Sequence, residues 1–185
     1  NKGVWPLSIK RGLLAPLPFG GIMSKVEIID IVFDGIALKC PSSCALPLKK
    51  YTYESFPTNF CGAGKGMGEA LVPDFVFGPT RFLKFLGLDV SIKISPACFI
   101  HDEDWFLADP TWNAFYASNE RFHENIESII NAKARNEYIK ARALYRPVTY
   151  KNAVDLAGRY VFWTMKWKTC TNIPFDALKY VNHRR

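Results

Sequence analysis

The sequence is poor in histidine and lacks long apolar runs. Only three histidines occur in 185 residues, and His101 is the first of them. No segment approaches the roughly 20 consecutive apolar residues that a membrane span requires. The closest candidate, VEIIDIVFDGIAL, is interrupted by three acids. We therefore expect no transmembrane helix, and the sequence shows no secretory signal.

Basic residues are in excess but form no solid run. The formal net charge is +7, which favours anionic partners such as an acidic membrane surface, nucleic acid or an acidic protein. No predicted helix carries a clear basic stripe with base-reading residues, so we expect no nucleic-acid partner. Apolar and charged residues make up 49% and 22% of the chain, which is typical of a globular protein.

The cysteine count is odd, so one thiol at least stays outside any disulfide. The five cysteines are Cys40, Cys44, Cys61, Cys98 and Cys170. At most two pairs can form, and the count alone does not set the redox compartment.

The hydrophobic pattern predicts a mainly helical protein with a small β element near the N-terminus. Residues 1–22 contain three prolines and four glycines, which predicts an extended arm. The β-branched stretch 25–39 predicts one or two strands around the turn FDGI. We divide the chain into an N-terminal arm with short strands (1–57), a core (58–145), and a C-terminal amphipathic helix and tail packed on the same domain (146–185).

Three short segments lie between the strands and the long helices. The densest run of glycines is FCGAGKGMGEALVPD, residues 60–74. PTRFLKFLGL predicts a short helix, and the alternation in DVSIKI predicts a short strand.

The sequence contains a start signal for the first long helix. Ser95 is the predicted N-cap, and Pro96 suits the first helical position. We expect this helix to run to about Leu107, before the break at Asp109 and Pro110.

Two further helices follow in the pattern. Apolar residues recur at helical spacing from Ala114 to Leu144, and RPV is predicted to end that helix. The segment YKNAVDLAGRYVFWTMKW, about 150–167, predicts a last amphipathic helix rich in aromatic residues.

His101 and Asp102 are the strongest chemical signal. Adjacent helical positions lie about 100° apart, so the imidazole and the carboxylate can serve one site in different roles. A neutral imidazole accepts a proton from water near pH 7, and a carboxylate binds a hard cation. The glycine-rich stretch could add backbone carbonyls as further ligands. The next two acids, Glu103 and Asp104, are expected to form a solvated helix end.

A second helix supplies a partner for the imidazole. Asn119 follows Phe115 by four residues and precedes Phe122 by three, which places it on the apolar face of its helix. A buried amide normally finds a hydrogen-bond partner. If the two helices form an antiparallel hairpin, His101 is the natural candidate.

Three motifs in this order resemble phospholipase A2, in particular its compact bacterial and viral forms. They are FCGAGKG, ACFIHDEDW and SNERFHENI. The family has a calcium loop of the form aromatic-Cys-Gly-x-Gly and an active-site helix of the form Cys-x-x-His-Asp-x-x-Tyr. Its second helix has an Asp three residues before a Phe. The resemblance covers about residues 58–130, and it implies an antiparallel helix pair that carries the site beside a glycine-rich metal loop.

The resemblance implies a role for each matching residue. His101 would activate the attacking water, and Asp102 would bind Ca²⁺. The backbone carbonyls of Phe60, Gly62 and Gly64 would complete the set of calcium ligands, and the Gly62 amide would help to hold the oxyanion. Asn119 occupies the position of the Asp that orients and charge-balances the histidine in the family.

The resemblance also implies a disulfide and a compartment. Cys61 and Cys98 match the pair that joins the calcium loop to the catalytic helix, which leaves Cys40 and Cys44 as a candidate short-loop pair. A disulfide suggests an oxidising destination, so the protein would be secreted or delivered as part of a viral or phage particle.

The chain departs from the family at two site positions. Asn119 stands where the family has Asp, and an amide oxygen accepts from the imidazole but does not stabilise an imidazolium as an anion would. Trp105 stands where the family has Tyr, and indole donates but does not accept. About 30 residues also separate the glycine loop from the helix, more than in the compact secreted enzymes.

Two functions follow as hypotheses. The first is a calcium-dependent hydrolase that cleaves the acyl ester of glycerophospholipids on an anionic membrane surface. The second is a catalytically weak or inactive module of the same fold, for example a phage particle component, with assembly partners bound through residues 1–57. A metal-dependent phosphohydrolase of the HD type is disfavoured because no histidine precedes His101. RFLKFL and RYVFWTMKWK could dock on lipid or pack in the core.

Overall fold

The computed structural model describes residues 26–58, 60–61, 72–77 and 91–181. Within these ranges the protein is mainly helical, with a two-stranded antiparallel sheet near the N-terminus. The predicted fold class is confirmed at this level. The predicted arm 1–22, the predicted short helix at residues 79–88 and the glycines at 62 and 64 lie outside the described residues.

The two strands form a tight hairpin, as the turn FDGI predicts. Strand β1 spans Ile28–Phe33 and strand β2 spans Ile36–Pro41, with Phe33 paired to Ile36. Asp34 and Gly35 have φ angles of 48° and 80°. Two successive positive φ angles are characteristic of the type I′ turn, which matches the twist of the strands it joins.

The hairpin is bound to the helices through one buried amide. The Asn125 side chain accepts from the backbone N–H of Lys39 and donates to its carbonyl oxygen, both at 2.8 Å. Asn125 therefore acts as a short partner for β2 along an edge that β1 does not cover. Alternate residues of β2 lie in the core on the same side (Ile36, Leu38 and Cys40).

The helices follow the hairpin in chain order. A 3-10 turn at Ser42–Cys44 leads into the short helix α1, Ala45–Leu48. The main helices are α2 (Ser95–Leu107), α3 (Trp112–Lys133), α4 (Glu137–Ala143) and α5 (Arg146–Thr169), and a 3-10 helix at Phe175–Tyr180 ends the described part.

Helix α2 begins one residue earlier than predicted. Ile94 is the N-cap, and Ser95 is already helical. The Ser95 hydroxyl donates to Asp74 Oδ1 at 2.7 Å instead of capping the helix. The prediction of Ser95 as N-cap was wrong because a tertiary partner competes for the hydroxyl. The predicted end at Leu107 and the break after it are confirmed.

The single helix predicted from Ala114 to Leu144 is two helices. Residue Ala134 is extended, with ψ at 128°, and Asn136 caps α4 by accepting from the Ile139 N–H at 2.9 Å. A short polar side chain that bonds the local backbone favours a new helix start over helix continuation. The periodicity of apolar residues runs through this break, which hides it in the sequence.

The segment RPV begins a helix, whereas it was predicted to end one. Pro147 lies in the first turn of α5, where a missing N–H costs no intrahelical bond. The predicted strand DVSIKI is also absent from its described part, residues 91–94. There Lys93 forms only an isolated bridge with Phe75.

Helix α5 holds the end of α2. The buried Lys166 ammonium donates to the carbonyl oxygens of Phe106, at 2.9 Å, and of Ala108. Burial lowers the pKa of Lys166 below its ordinary value. The charge lies at the C-terminal end of α2, where a cation is favoured by the helix dipole.

Two apolar clusters flank the helix pair α2 and α3. One contains the sheet and the inner faces of α2 and α3, with Ile100, Phe122 and Ile126 among its buried residues. The other joins Trp105 and Phe115 to α5 and the last 3-10 helix. Among the described residues, no helix is both long and apolar enough to cross a bilayer.

Candidate active site

The site is built on the antiparallel packing of α2 and α3. The His101 ring stacks on Phe122 with centroids 4.5 Å apart, and Trp105 stacks on Phe115 at 5.6 Å. Later residues of α2 thus meet earlier residues of α3. The predicted helix hairpin is confirmed.

Asn119 is the hydrogen-bond partner of His101, as the sequence predicts. His101 Nε2 lies 2.9 Å from Asn119 Oδ1. Trp105 Nε1 donates to the same oxygen, also at 2.9 Å. Asn119 is fully buried, so both bonds are shielded from water. The amide oxygen therefore receives two N–H groups from consecutive turns of α2.

These contacts determine the proton positions. The indole N–H of Trp105 only donates, so the Asn119 atom beside it must be the carbonyl oxygen. That oxygen only accepts, and the imidazole Nε2 that faces it must therefore carry a proton. In the neutral ring the lone pair is then on Nδ1, which is the nitrogen available as a base.

Burial holds the imidazole in its neutral form. His101 is 5% exposed, and burial lowers its pKa to about 4. The bond to Asn119 and the carboxylates of Asp104 and Asp155 oppose this effect, while Arg121 adds to it. At pH 7 the ring carries no charge, which is the state that a general base requires.

An unpredicted carboxylate completes the chain of hydrogen bonds. Asn119 Nδ2 donates to Asp155 Oδ1 at 2.7 Å, and Lys151 Nζ donates to Asp155 Oδ2 at 2.9 Å. Asp155 and Lys151 lie on α5, 36 and 32 positions after Asn119 in the chain. The amphipathic pattern of α5 predicts a helix there, but no local signal pairs Asp155 with the site.

Asp104 is a buried ion-pair residue and does not belong to a solvated helix end. It is 2% exposed, and its carboxylate accepts two bonds from Arg121, at 2.7 and 2.8 Å. A two-point contact between a carboxylate and a guanidinium compensates for burial. The prediction for Asp104 was wrong because the partner comes from α3, which a reading of α2 alone does not include.

Asp102 points away from the Asn119 network. It is exposed, whereas His101 before it is buried. Partial loss of hydration beside the surrounding protein, and to a smaller extent the Glu103 carboxylate, raise the pKa of Asp102 above its ordinary value. A nearby cation would favour the ionised form.

A disulfide brings the start of the glycine-rich stretch to α2. Cys61 and Cys98 are bonded, with their Cα atoms 5.1 Å apart. Cys98 precedes Asp102 by four positions, so the two share a face of the helix. Phe60 is the chain neighbour of Cys61, which the disulfide attaches to the helix face that contains Asp102. The predicted Cys61–Cys98 pairing is confirmed.

Asp74 supports the same junction. Its Oδ1 accepts from the Ser95 hydroxyl at 2.7 Å and from the Cys61 N–H at 3.4 Å. These two bonds connect the segment 72–77 to Cys61 of the disulfide and to Ser95, the first residue of α2. The sequence gives no sign of this role, because Asp74 lies in a segment without periodicity.

Asp102 presents an exposed carboxylate on α2. Carboxylate oxygens, and backbone carbonyl oxygens such as that of Phe60, are the ligand types that Ca²⁺ prefers. Within the described residues no group of three or more His, Cys, Asp or Glu side chains could hold a metal ion. The glycines at 62 and 64, whose backbone oxygens the family resemblance implies as further calcium ligands, lie outside the described residues.

The remaining cysteines are free thiols. Cys40 and Cys44 are buried and reduced, so the candidate short-loop pair is not formed. Their side chains hydrogen-bond to each other, which raises the pKa of Cys44 and lowers that of Cys40. Cys170, at the end of α5, is also free.

No family model, curated protein or solved structure matches the chain. The functional assignment therefore depends on the geometry of the site.

Proposed function

We propose that the protein is a calcium-dependent phospholipase A2-like hydrolase that cleaves the acyl ester of glycerophospholipids. The observation that carries the proposal is the buried bond between His101 and Asn119, one residue before the exposed Asp102. This arrangement presents a neutral base and a carboxylate from one turn of one helix. The family resemblance of the flanking motifs supplies the substrate class.

His101 would act through Nδ1. Because Asn119 and Trp105 assign the proton to Nε2, the lone pair on Nδ1 is the group that can take a proton from water. The low pKa makes the imidazole neutral but a weak base, so we expect modest rates. The stacked Phe122 ring and the Asn119 bond hold the imidazole in one orientation.

Asp102 and the backbone carbonyls of Phe60, Gly62 and Gly64 would hold Ca²⁺. A bound calcium ion would polarise the substrate carbonyl and stabilise the oxyanion. The Cys61–Cys98 disulfide supports this assignment, since it anchors the beginning of the loop on the helix face that Asp102 shares. It also supports an oxidising destination, in a secreted protein or a viral or phage particle.

An anionic phospholipid surface is the proposed partner. The net charge of +7 favours it, and α5 exposes aromatic side chains among cations. Tyr160 and Trp167 are 55% and 48% exposed, and Lys168 is exposed beside Trp167. Aromatic rings suit the headgroup level of a bilayer, and cations suit anionic lipid.

The test is fatty-acid release from vesicles of mixed anionic phospholipids, with Ca²⁺ and with chelator. We expect release that depends on calcium and that falls at least about 100-fold in Asp102→Asn, which keeps the shape but loses the charge. Glu127→Gln is the matched control, since it likewise keeps the shape and removes the charge of a partly exposed carboxylate elsewhere, on α3. Release that is unaffected by chelator would contradict the proposal.

A second candidate, a non-catalytic module of the same fold, is favoured by Asn119 itself. His101 would gain a positive charge on proton transfer. The neutral Asn119 amide would stabilise that charge less than the family's carboxylate does. Folded protein that binds the vesicles without releasing fatty acid would establish this alternative. The question would then be which assembly partners it holds, with residues 1–57 as the first candidate segment.

A further inference from the structure

We propose that Asp155 is a positioning residue for His101, because its carboxylate fixes the Asn119 amide in the orientation that keeps the imidazole proton on Nε2. As a contribution to catalysis this inference rests on the proposed hydrolase. The state of the imidazole can be measured without any turnover, so the two can fail separately.

The geometry leaves each atom of Asn119 with one type of partner. At one end the oxygen accepts from His101 and Trp105, at 2.9 Å each. At the other end Nδ2 donates to Asp155 Oδ1 at 2.7 Å. A carboxylate only accepts, so it can face the NH₂ group but not the oxygen of the amide.

A flipped amide would have the opposite effect on the imidazole. The NH₂ group would then face His101 Nε2, which would have to accept, and the proton would move to Nδ1. The proposed base would lose its lone pair. Trp105 opposes the flip at one end, since two N–H donors would meet, and Asp155 opposes it at the other, since two acceptors would meet.

Asp155 is itself held in place from α5. Lys151 Nζ donates to Asp155 Oδ2 at 2.9 Å and lies 3.5 Å from Glu120 Oε2. The two carboxylate oxygens thus serve two donors, one on α3 and one on α5. The Asp155 side chain is 19% exposed, so water competes little for these bonds. Helix α5 in this way supplies the anion that α3 lacks at Asn119.

The test is the ring tautomer of His101, measured by nitrogen NMR at pH 7 on protein with ¹⁵N-labelled histidine. Only three histidines are present, and His101→Gln identifies the signal of interest. In the wild type we expect a bare Nδ1 and a protonated Nε2. In Asp155→Ala the excess of this tautomer should fall by about tenfold, the effect of one buried hydrogen bond.

Two further variants separate positioning from mere packing. Asp155→Asn keeps an oxygen that can accept from Asn119, so it should retain more of the wild-type tautomer than Asp155→Ala does. Asp176→Asn is the control, since the Asp176 carboxylate also accepts from a side-chain N–H, in this case the indole of Trp112, but lies on the 3-10 helix. It should leave the His101 tautomer unchanged.

The outcomes are distinct. A wild-type proton on Nδ1, or a wild-type tautomer ratio retained in folded Asp155→Ala, would overturn the inference. A shifted tautomer without any lipid hydrolysis would support the role of Asp155 and reject the hydrolase. If hydrolysis is present, Asp155→Ala should lower kcat with little change in KM, because the substitution affects the base and leaves the substrate contacts intact.

Discussion

At the scale of single residues, Gly158 sets the space in which Trp105 lies. A Cβ at position 158 would lie 2.9 Å from Cζ2 of Trp105 and closer still to Cη2. Trp105 is buried and donates to Asn119, so its ring cannot move away without loss of that bond. The absence of a side chain at Gly158 therefore leaves room for the Trp105 ring in its hydrogen-bonded position.

We predict that Gly158→Ala lowers the free energy of unfolding by about 1–3 kcal/mol, although alanine favours helices. Chemical denaturation measures this change. Asn152→Ala, at an exposed position of the same helix, should stay within about 0.5 kcal/mol of the wild type. A Gly158→Ala protein as stable as the wild type would show that the ring has room to move.

Tyr53 is a buried phenol that makes the stability depend on alkaline pH. It is 5% exposed, and its hydroxyl donates to the Lys93 carbonyl oxygen at 3.0 Å and accepts from the Lys93 N–H at 2.8 Å. Burial raises the pKa of Tyr53 above its ordinary value of 10. The unfolded chain therefore loses the proton first, and ionisation favours unfolding.

The contribution of Tyr53 is fully present below pH 10 and is lost as the pH rises above 10. We expect the wild type to lose about 1.4 kcal/mol more stability between pH 9 and pH 11 than Tyr53→Phe does. Tyr138→Phe, at a residue 69% exposed, should parallel the wild type. Identical pH dependence of the wild type and Tyr53→Phe would contradict the account.

At the scale of elements, the hairpin and α3 are joined through Asn125. Its amide satisfies the N–H and the carbonyl of Lys39, and it is 1% exposed. The periodicity of α3 places Asn125 on the buried face, but the strand edge it satisfies is 86 residues away in sequence. Such a pairing is a property of the tertiary structure and has no local signal.

We predict that Asn125→Ala destabilises the protein by about 2–4 kcal/mol, because a backbone donor and acceptor would be left in a partly buried position. Lys39→Ala keeps those backbone groups and removes only the exposed ion pair with Glu124, so it should cost less than about 1 kcal/mol. Denaturation curves compare the two variants. Equal losses of stability in the two variants would contradict a specific contribution of the Asn125 hydrogen bonds.

The disulfide is a further long-range connection, between Cys61 and α2. Cys61 and Cys98 are 37 positions apart, and a cross-link of that length restricts the unfolded chain. The double variant Cys61→Ser/Cys98→Ser should lose up to about 4 kcal/mol of stability. Cys170→Ser, which removes a free thiol, should have little effect. A double variant as stable as the wild type would contradict a structural role for the disulfide.

Sequence patterns predicted most of what depends on local chemistry. The turn at Asp34 and Gly35, the end of α2 and the burial of Asn119 all follow from residue types and spacing. The start of α2 and the break after α3 did not, because Asp74 and Asn136 decide them through hydrogen bonds that periodicity does not encode. Local patterns thus predict which segments are helical better than they predict where each helix begins.

At the scale of the whole molecule, the candidate site depends on three helices, of which the sequence indicated two. Motif spacing predicted the meeting of His101 and Asn119, because both lie on buried helix faces joined by a short break. Asp155 could not be predicted, since its contact depends on how α5 packs across α2 and α3. The family resemblance indicated chemistry for α2 and α3 only, so the contribution of α5 emerges from packing.

The most direct measurement is the rate of calcium-dependent fatty-acid release by the wild type relative to His101→Gln. Glutamine can still donate to Asn119 but cannot accept a proton from water, so we predict a loss of at least about 100-fold. His123→Gln, a change of the same kind on α3, should keep the wild-type rate. Equal rates for the wild type and His101→Gln, or no release from folded wild-type protein, would contradict the account.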